Sequence, residues 1–396
     1  MAQNSQNIAP GSLSKYFPEI YSRKQVLQII HSQKNLNALF QSWNPQDQET
    51  FLDCCSGSRG MKVLYDGIFK EIFNPEAAPE RLEDLLSLLF QKKVKIDSVL
   101  PNDSVRLGAE SSLLYTDIIV QLEDGSLSNI EIQKIGYAFP GQRCACYSAD
   151  HLLRQYKRVR GAQGKQFHYR NIKSVYTIIF FEQSPKEFHD YPDHWLHIFR
   201  QQSNTGLTLN LLQEYYFIPL DIFRKNMDNK SITSDLEAWL SFLSFDEPER
   251  IVELFTRYPR FRALYQDIYE LCQNMEKVMN MYSKELLELD HNTVLYMIDE
   301  MQEQIDQKQL EITEMDAQIS QQKVQIHQQV SQINQQVTQI NQQEAQINRQ
   351  EAQINQQEAQ INQQEAQINQ QEAQINQQAI LIQNLQKQLA DLQSSK

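Results

Sequence analysis

The sequence predicts an α/β protein: a small mixed sheet flanked by helices, followed by a helical region and a long C-terminal coiled coil. Three observations lead there. β-rich runs alternate with helix-spaced runs between residues 61 and 181, Glu123-Asp124-Gly125-Ser126 is a strong hairpin-turn signal, and isoleucine recurs every seventh residue from Ile298 onward.

Residues 1–60 are polar at first and then carry short helical patterns at Val26-Leu27-Ile29-Ile30 and Leu36-Leu39-Phe40, which predict an N-terminal helical extension. Asp66 to Phe73 (DGIFKEIF) and Glu80 to Phe90 (ERLEDLLSLLF) have helical spacing, punctuated by Asn74-Pro75 and Pro79. Val94 to Leu100 predicts a short strand. Leu113 to Leu122 (LLYTDIIVQL) is β-rich, and Ser128 to Ile135 (SNIEIQKI) returns as its hairpin partner across the EDGS turn. Gln142 to Arg160 has helical spacing, and Ser174 to Phe181 (SVYTIIFF) is an apolar run of the buried-strand type. A strand, a helix and another strand in that order make a crossover unit. Residues 185–297 read as mostly helical, with one more strand at Tyr215 to Ile218. The divisions are therefore 1–60 for the extension, 61–225 for the α/β core, 226–297 for the helical region and 298–396 for the coiled coil.

The coiled-coil reading rests on thirteen isoleucines spaced by seven, from Ile298 to Ile382. With Ile at heptad position a, position d is Met301, Lys308, Met315, then Gln from Gln322 to Gln378, then Leu385. A strict period of seven specifies a left-handed supercoil and hence a homo-oligomer; the alternative is a repeat expansion that is partly disordered. At 1.5 Å per residue such a rod is roughly 140 Å long. Buried Gln at d is weakly stabilising because each amide must find a partner. Identical QINQQEA units slip by seven with little change, so Met301, Met315, Leu385, Leu389 and Leu392 must set the register.

Net charge is −13, which argues against a generic nucleic-acid coat. The charge is uneven, however. From Asp299 to Lys396 there are 13 acidic and 5 basic residues, so the tail holds −8 of it. From Arg143 to Lys173 the sign reverses: Arg143, Arg154, Lys157, Arg158, Arg160, Lys165, Arg170 and Lys173 face only Asp150. Such a stretch is either a phosphate-binding face or a solvated helix face. The five cysteines form no CxxC pair and no zinc spacing, and Cys54-Cys55 reads as buried packing. MAQNSQNIAPGS lacks a charged-then-apolar leader, and the longest apolar runs are too short to cross a bilayer. A reducing cytoplasm is the simplest location, with no membrane partner.

The chemistry lies in Asp117 and, after thirteen residues, Glu131-Ile132-Gln133. The hairpin brings their two strands side by side. Alternation puts Glu131 and Gln133 on one face, with Ile130 and Ile132 on the other. Two carboxylates and a backbone carbonyl at a strand centre are an oxygen-rich site suited to Mg²⁺ or Mn²⁺. A cation held there activates water and neutralises phosphodiester charge. His194 and His197 have no third ligand at a useful spacing and read as packing or surface residues.

A strand with Asp, a hairpin, a Glu-x-Lys-like triplet and a basic helix resemble the PD-(D/E)xK nucleases. DGIFKEIF at Asp66 to Phe73, the Leu-rich helix at Leu82 to Leu89, TDIIV at Thr116 to Val120, NIEIQ at Asn129 to Gln133, and Arg143 with Tyr147 as R-x3-Y are similar to the recombination-promoting nucleases, the PD-(D/E)xK nuclease family transposases. The resemblance covers about residues 61–220 and implies a restriction-endonuclease-like core. It implies a Mg²⁺- or Mn²⁺-dependent DNA endonuclease promoting recombination or transposition, with Asp117 and Glu131 as metal ligands and the Ile132 carbonyl as a third. Gln133 stands where most of the superfamily has lysine; it can orient water but supplies no charge. Arg143 is a candidate migrated cation, and Lys134 points to the other face. Asp66 is a further candidate ligand, with Glu83 behind it; either is otherwise a helix-surface carboxylate. Arg143, Arg154, Lys157, Arg158 and Arg160 are the candidate DNA contacts. The other reading is a catalytically decayed nuclease fold acting as a coiled-coil DNA-binding scaffold.

Overall fold

Alternating apolar residues need a second layer to cover them, and the chain supplies helices for both faces of its sheet. The computed structural model describes residues 12–101, 118–136 and 140–393, without the side chains of 291, 292, 295, 299 and 393. The elements in chain order are α1 (Arg23–Ser32), α2 (Lys34–Ser42), α3 (Pro45–Cys55), α4 (Asp66–Ile72), α5 (Pro79–Phe90), β1 (Ile96–Val99), β2 (Ile118–Leu122), β3 (Leu127–Gln133), α6 (Pro140–Gln163), β4 (Val175–Phe181), α7 (Lys186–His189), β5 (His197–Phe199), β6 (Gln213–Pro219), α8 (Leu220–Asn226), α9 (Asp235–Ser244), α10 (Pro248–Arg257), α11 (Arg260–Gln273) and α12 (Met275–Gln393). The six strands form one mixed sheet in the order β1-β2-β3-β4-β6-β5.

The β2–β3 hairpin closes as its EDGS signal predicts. Gly125 sits at φ +85°, a left-handed conformation that suits glycine, and its amide donates to the Leu122 carbonyl over 2.8 Å. The Asp124 carboxylate accepts from the Ser126 amide at 2.9 Å. Strand β3 pairs antiparallel with β2 and parallel with β4, and a parallel pair needs a crossover, which α6 provides. β6 lies parallel on the far side of β4, with β5 as the antiparallel edge. β5 falls in a region the periodicity assigns to helix. Three residues are too few to print an alternation, and its strand character comes from pairing with β6.

Each face of the sheet has its own packing. Ile130, Ile178 and Phe180 point into a large core that includes Leu82 and Leu86 of α5, Trp239 and Phe242 of α9, and Phe261 and Tyr265 of α11. Ile179 and Phe181 point the other way, against Cys144 of α6, Phe188 and Phe217. The large core also takes in the first helices. Val26, Ile30, Phe40 and Phe51 are buried there; Trp43 meets Tyr282 of α12 with ring centres 5.1 Å apart, and Phe17 meets Tyr269 of α11 at 5.2 Å. Cys54 and Cys55 are buried and unbridged, and burial above all pushes the Cys54 thiol up to about 12.

The chain divides into two compact units, Met1–Gln304 and Ile305–Lys396. In the first unit, α12 contributes Met275, Val278, Met279 and Tyr282 to the core. α4 packs closely on it: a Cβ on Gly67 would come within 2.7 Å of the Met281 side chain. The described part of the second unit is helical, and its isoleucines stand about half exposed, from 47% at Ile319 to 62% at Ile375. Among the described residues, no helix is long and apolar enough to cross a membrane.

Candidate active site

The centre of the sheet is an unusual place for a carboxylate. Glu131 lies on β3 with only 6% of its surface exposed, and Gln133 is buried beside it. Register fixes their direction. Glu131 is opposite Ile179 and Gln133 opposite Phe181, both of which face α6. Paired residues on neighbouring strands share a face, so both polar side chains also point toward α6. The Gln133 amide nitrogen donates to Oε1 of Glu131 over 3.0 Å. Cys144, in the first turns of α6, feels this carboxylate: burial chiefly, and the Glu131 charge next, push its thiol well above the ordinary range.

Further polar groups continue along this face toward the start of the strands. Asn129 and Thr177 are register partners, both fully buried, and their side-chain polar atoms have no hydrogen-bond partner among the described residues. Ser148 of α6 accepts from Gln213 of β6 at 3.0 Å, and Gln155 accepts from the Lys173 amide at 2.7 Å. His151 of α6 is buried, and that burial depresses its pKa, so the ring is neutral at neutral pH.

The donor chemistry here suits a hard divalent cation. Glu131 offers a carboxylate, and the side-chain amide oxygen of Gln133 (Oε1) is buried with no hydrogen-bond partner among the described residues. Oxygen donors of this type favour Mg²⁺, Mn²⁺ or Ca²⁺ over softer metals. Among the described residues, no three His, Cys, Asp or Glu side chains group to hold a metal. Asp117, the second carboxylate of the sequence motif, lies outside the described residues, as does Thr116.

The other acidic candidates occupy different surroundings. Asp66 opens α4 and pairs with Lys70 at 2.6 Å, while its backbone amide donates to Glu285 of α12 at 3.0 Å. Glu83 is nearly buried and pairs with Lys95, and it also accepts from the Ile96 amide at 3.0 Å, tying α5 to β1. Lys134 follows the triplet directly. It is buried in an ion pair with Glu285, and its ammonium lies 5.6 Å from the centre of the Tyr65 ring. His197 packs its ring against Phe188 at 5.1 Å.

The basic residues string out along α6. Arg143 and Tyr147 lie half-buried in its first turns; at 1.5 Å per residue, Arg160 is about 26 Å further along the helix. Arg154 pairs with Asp150 at 2.6 Å, Lys157 is exposed, and Arg158 donates to Gln121 of β2 at 3.0 Å. Arg160 hydrogen-bonds the Tyr156 hydroxyl and lies 5.6 Å from its ring centre. Tyr156 in turn contacts Phe167 and Tyr169, which return against α6 after its C-terminus. The one signal the sequence carries for this group is that Tyr156, Phe167 and Tyr169 are interleaved with the basic residues; their meeting depends on the chain reversal after α6.

No curated protein and no solved structure matches the chain. A family model does: the one described as PD-(D/E)XK nuclease family transposase matches residues 63–297, which include β3, α6 and the first turns of α12, and the chain belongs to that family.

Proposed function

We propose that this protein is a divalent-metal-dependent DNA endonuclease acting in recombination or transposition, whose catalytic centre is Asp117, Glu131 and Gln133. The observation that carries the reading is a carboxylate and an amide oxygen buried together on the central strand of a PD-(D/E)XK-family chain. Membership points to Asp117 as the second carboxylate. Its chain neighbour Ile118 pairs with Ile130, the chain neighbour of Glu131.

Asp117, Glu131 and the Ile132 carbonyl would hold Mg²⁺ or Mn²⁺, with Asp66 as a further candidate. When bound, such a cation lowers the pKa of water and neutralises charge on the scissile phosphate. Gln133 orients the attacking water by hydrogen bonding; it cannot supply the positive charge of a lysine. Arg143, at the Glu131 end of α6, takes the phosphate being cleaved, and Arg154, Lys157, Arg158 and Arg160 hold phosphates further along. Their contacts make binding steeply salt-dependent. Residues 61–225 are the nuclease core in this reading, with 1–60 and 226–297 as helical regions packed on it. Residues 298–396 join copies of the chain through the heptad isoleucines.

Incubation of supercoiled plasmid with purified protein, with and without Mg²⁺ and beside Asp117→Ala, tests the reading. Nicking that needs Mg²⁺ and disappears in the variant is expected; equal nicking by both proteins removes the proposal. The glutamine at 133 favours a second reading, a decayed nuclease that binds DNA as a scaffold. That reading predicts no cleavage and DNA binding that persists in EDTA.

A further inference from the structure

Beyond the C-terminus of α6 the chain forms an aromatic group with an unusual exposure. Short 3₁₀ turns at Gly164–Gln166 and Tyr169–Asn171 fold the chain back, so that Phe167 and Tyr169 return against Tyr156 of the helix. Phe167 meets Tyr156 edge-on at 5.6 Å and Tyr169 at 5.2 Å. Tyr169 lies nearly parallel to Tyr156, 13° between planes and 6.2 Å between centres, yet is 77% exposed. It is thus braced by two rings and open to solvent. A ring so exposed contributes little to the core.

The electrostatic setting is one-signed along the chain. No Asp or Glu occurs between residues 151 and 181. Lys157, Lys165 and Arg170 are exposed, and none has a carboxylate within ion-pair distance among the described residues. Tyr169, Arg170 and Lys173 line a cleft of about 520 Å³ together with the polar side chains of Asp124, Ser126 and Asn210. Cations beside a braced, exposed ring and a cleft with hydrogen-bonding groups match an unpaired nucleotide: phosphate to the cations, base on the ring, base edge to the polar side chains. A paired base keeps both faces in its own stack and cannot offer one to Tyr169.

We infer that the tip of α6 is a second DNA site, which takes an unpaired base on Tyr169 and its phosphates on Lys157, Arg170 and Lys173. This rests on the proposed nuclease reading and deepens it by naming the substrate class: DNA in which a single-stranded stretch adjoins the segment being cut. The platform rests on Tyr156, about 20 Å of helix from Arg143. A strand engaged at both ends spans roughly six base steps, taking 3.4 Å per step.

The test uses the full chain with Ca²⁺ in place of Mg²⁺, so that binding is read with a divalent cation present but without cleavage. Fluorescence anisotropy with labelled oligo-dT and with a labelled duplex of equal length is measured for wild type, Tyr169→Ala and Tyr169→Trp. A 2-aminopurine base in the single strand reports stacking through quenching. Loss of one stacked base predicts about a tenfold weaker affinity of Tyr169→Ala for oligo-dT. Duplex affinity should change by much less, quenching should be lost in Tyr169→Ala, and both properties should be retained in Tyr169→Trp. Unchanged oligo-dT binding, or equal losses on both DNAs, overturns the inference and leaves the nuclease reading standing. Wild type that binds neither DNA overturns both. Poly-glutamate competing as well as oligo-dT also overturns it, the patch then being a site for an acidic peptide.

Discussion

The Gln133 side chain donates to Oε1 of Glu131 across 3.0 Å, both residues lying buried on the strand at the centre of the sheet. Gln133 is therefore the immediate polar neighbour of the proposed metal-binding carboxylate. Gln133→Ala should lower plasmid nicking by roughly a hundredfold, the lower range for losing a group that positions a proton-transferring water. Gln133→Lys restores the superfamily's usual cation and should nick at least as fast as wild type. Initial rates at fixed Mg²⁺ measure both. An unimpaired Gln133→Ala would remove the residue from the mechanism.

Lys134 and Glu285 form an ion pair with side-chain exposures of 8% and 4%, joining the end of β3 to α12. Removing Glu285 takes the paired carboxylate from a buried ammonium, so Glu285→Ala should destabilise the fold by about 3–5 kcal/mol. A Lys134→Met, Glu285→Met double variant should recover most of that loss, since neither charge remains. Urea denaturation followed by circular dichroism measures both, and equal loss in the single and double variants would contradict the pairing.

His151 makes a pH prediction. Burial, the dominant cause, depresses its pKa; Asp150 opposes the shift and Arg154 reinforces it. The unfolded chain takes up a proton at about pH 6.5, while the folded chain takes it up only at lower pH. Stability is therefore full above about pH 6.5 and declines as pH falls from there through the lowered folded value. His151→Leu should flatten this part of the curve. Melting temperatures between pH 5 and 7.5 test it, and a slope identical in both proteins would count against the assignment.

The tail makes a prediction about assembly. Its isoleucines stand half exposed on a single helix, a stripe that a second helix would cover. Ending the chain after Gln304, the boundary between the two compact units, should reduce the molar mass seen by light scattering to that of one chain. Two monomeric proteins would refute association through the heptads.

Much of this fold can be read from local pattern. The EDGS turn and the alternation beyond it predict the β2–β3 hairpin and put Glu131 and Gln133 on one face, because strand periodicity is a property of consecutive residues. α6 and β4 are legible for the same reason. The partners of the first helices are not: Phe17 packs on Tyr269 and Trp43 on Tyr282, residues more than two hundred positions away. Helical spacing marks an apolar face but not what covers it. Lys134 illustrates the same limit at the site. Alternation turns it from Glu131, yet its buried partner Glu285 follows only from how α12 docks. The Tyr156, Phe167 and Tyr169 group requires a reversal of the chain after α6 that no single periodicity spans.

The central claim is that Glu131 helps hold a divalent cation, and calorimetric titration of Mn²⁺ into the full-length protein examines it without depending on any DNA substrate. Wild type should release or absorb heat of binding that vanishes in Glu131→Gln, while the melting temperature of that variant shows that it remains folded. Equal Mn²⁺ affinity in wild type and a folded Glu131→Gln protein would contradict the account.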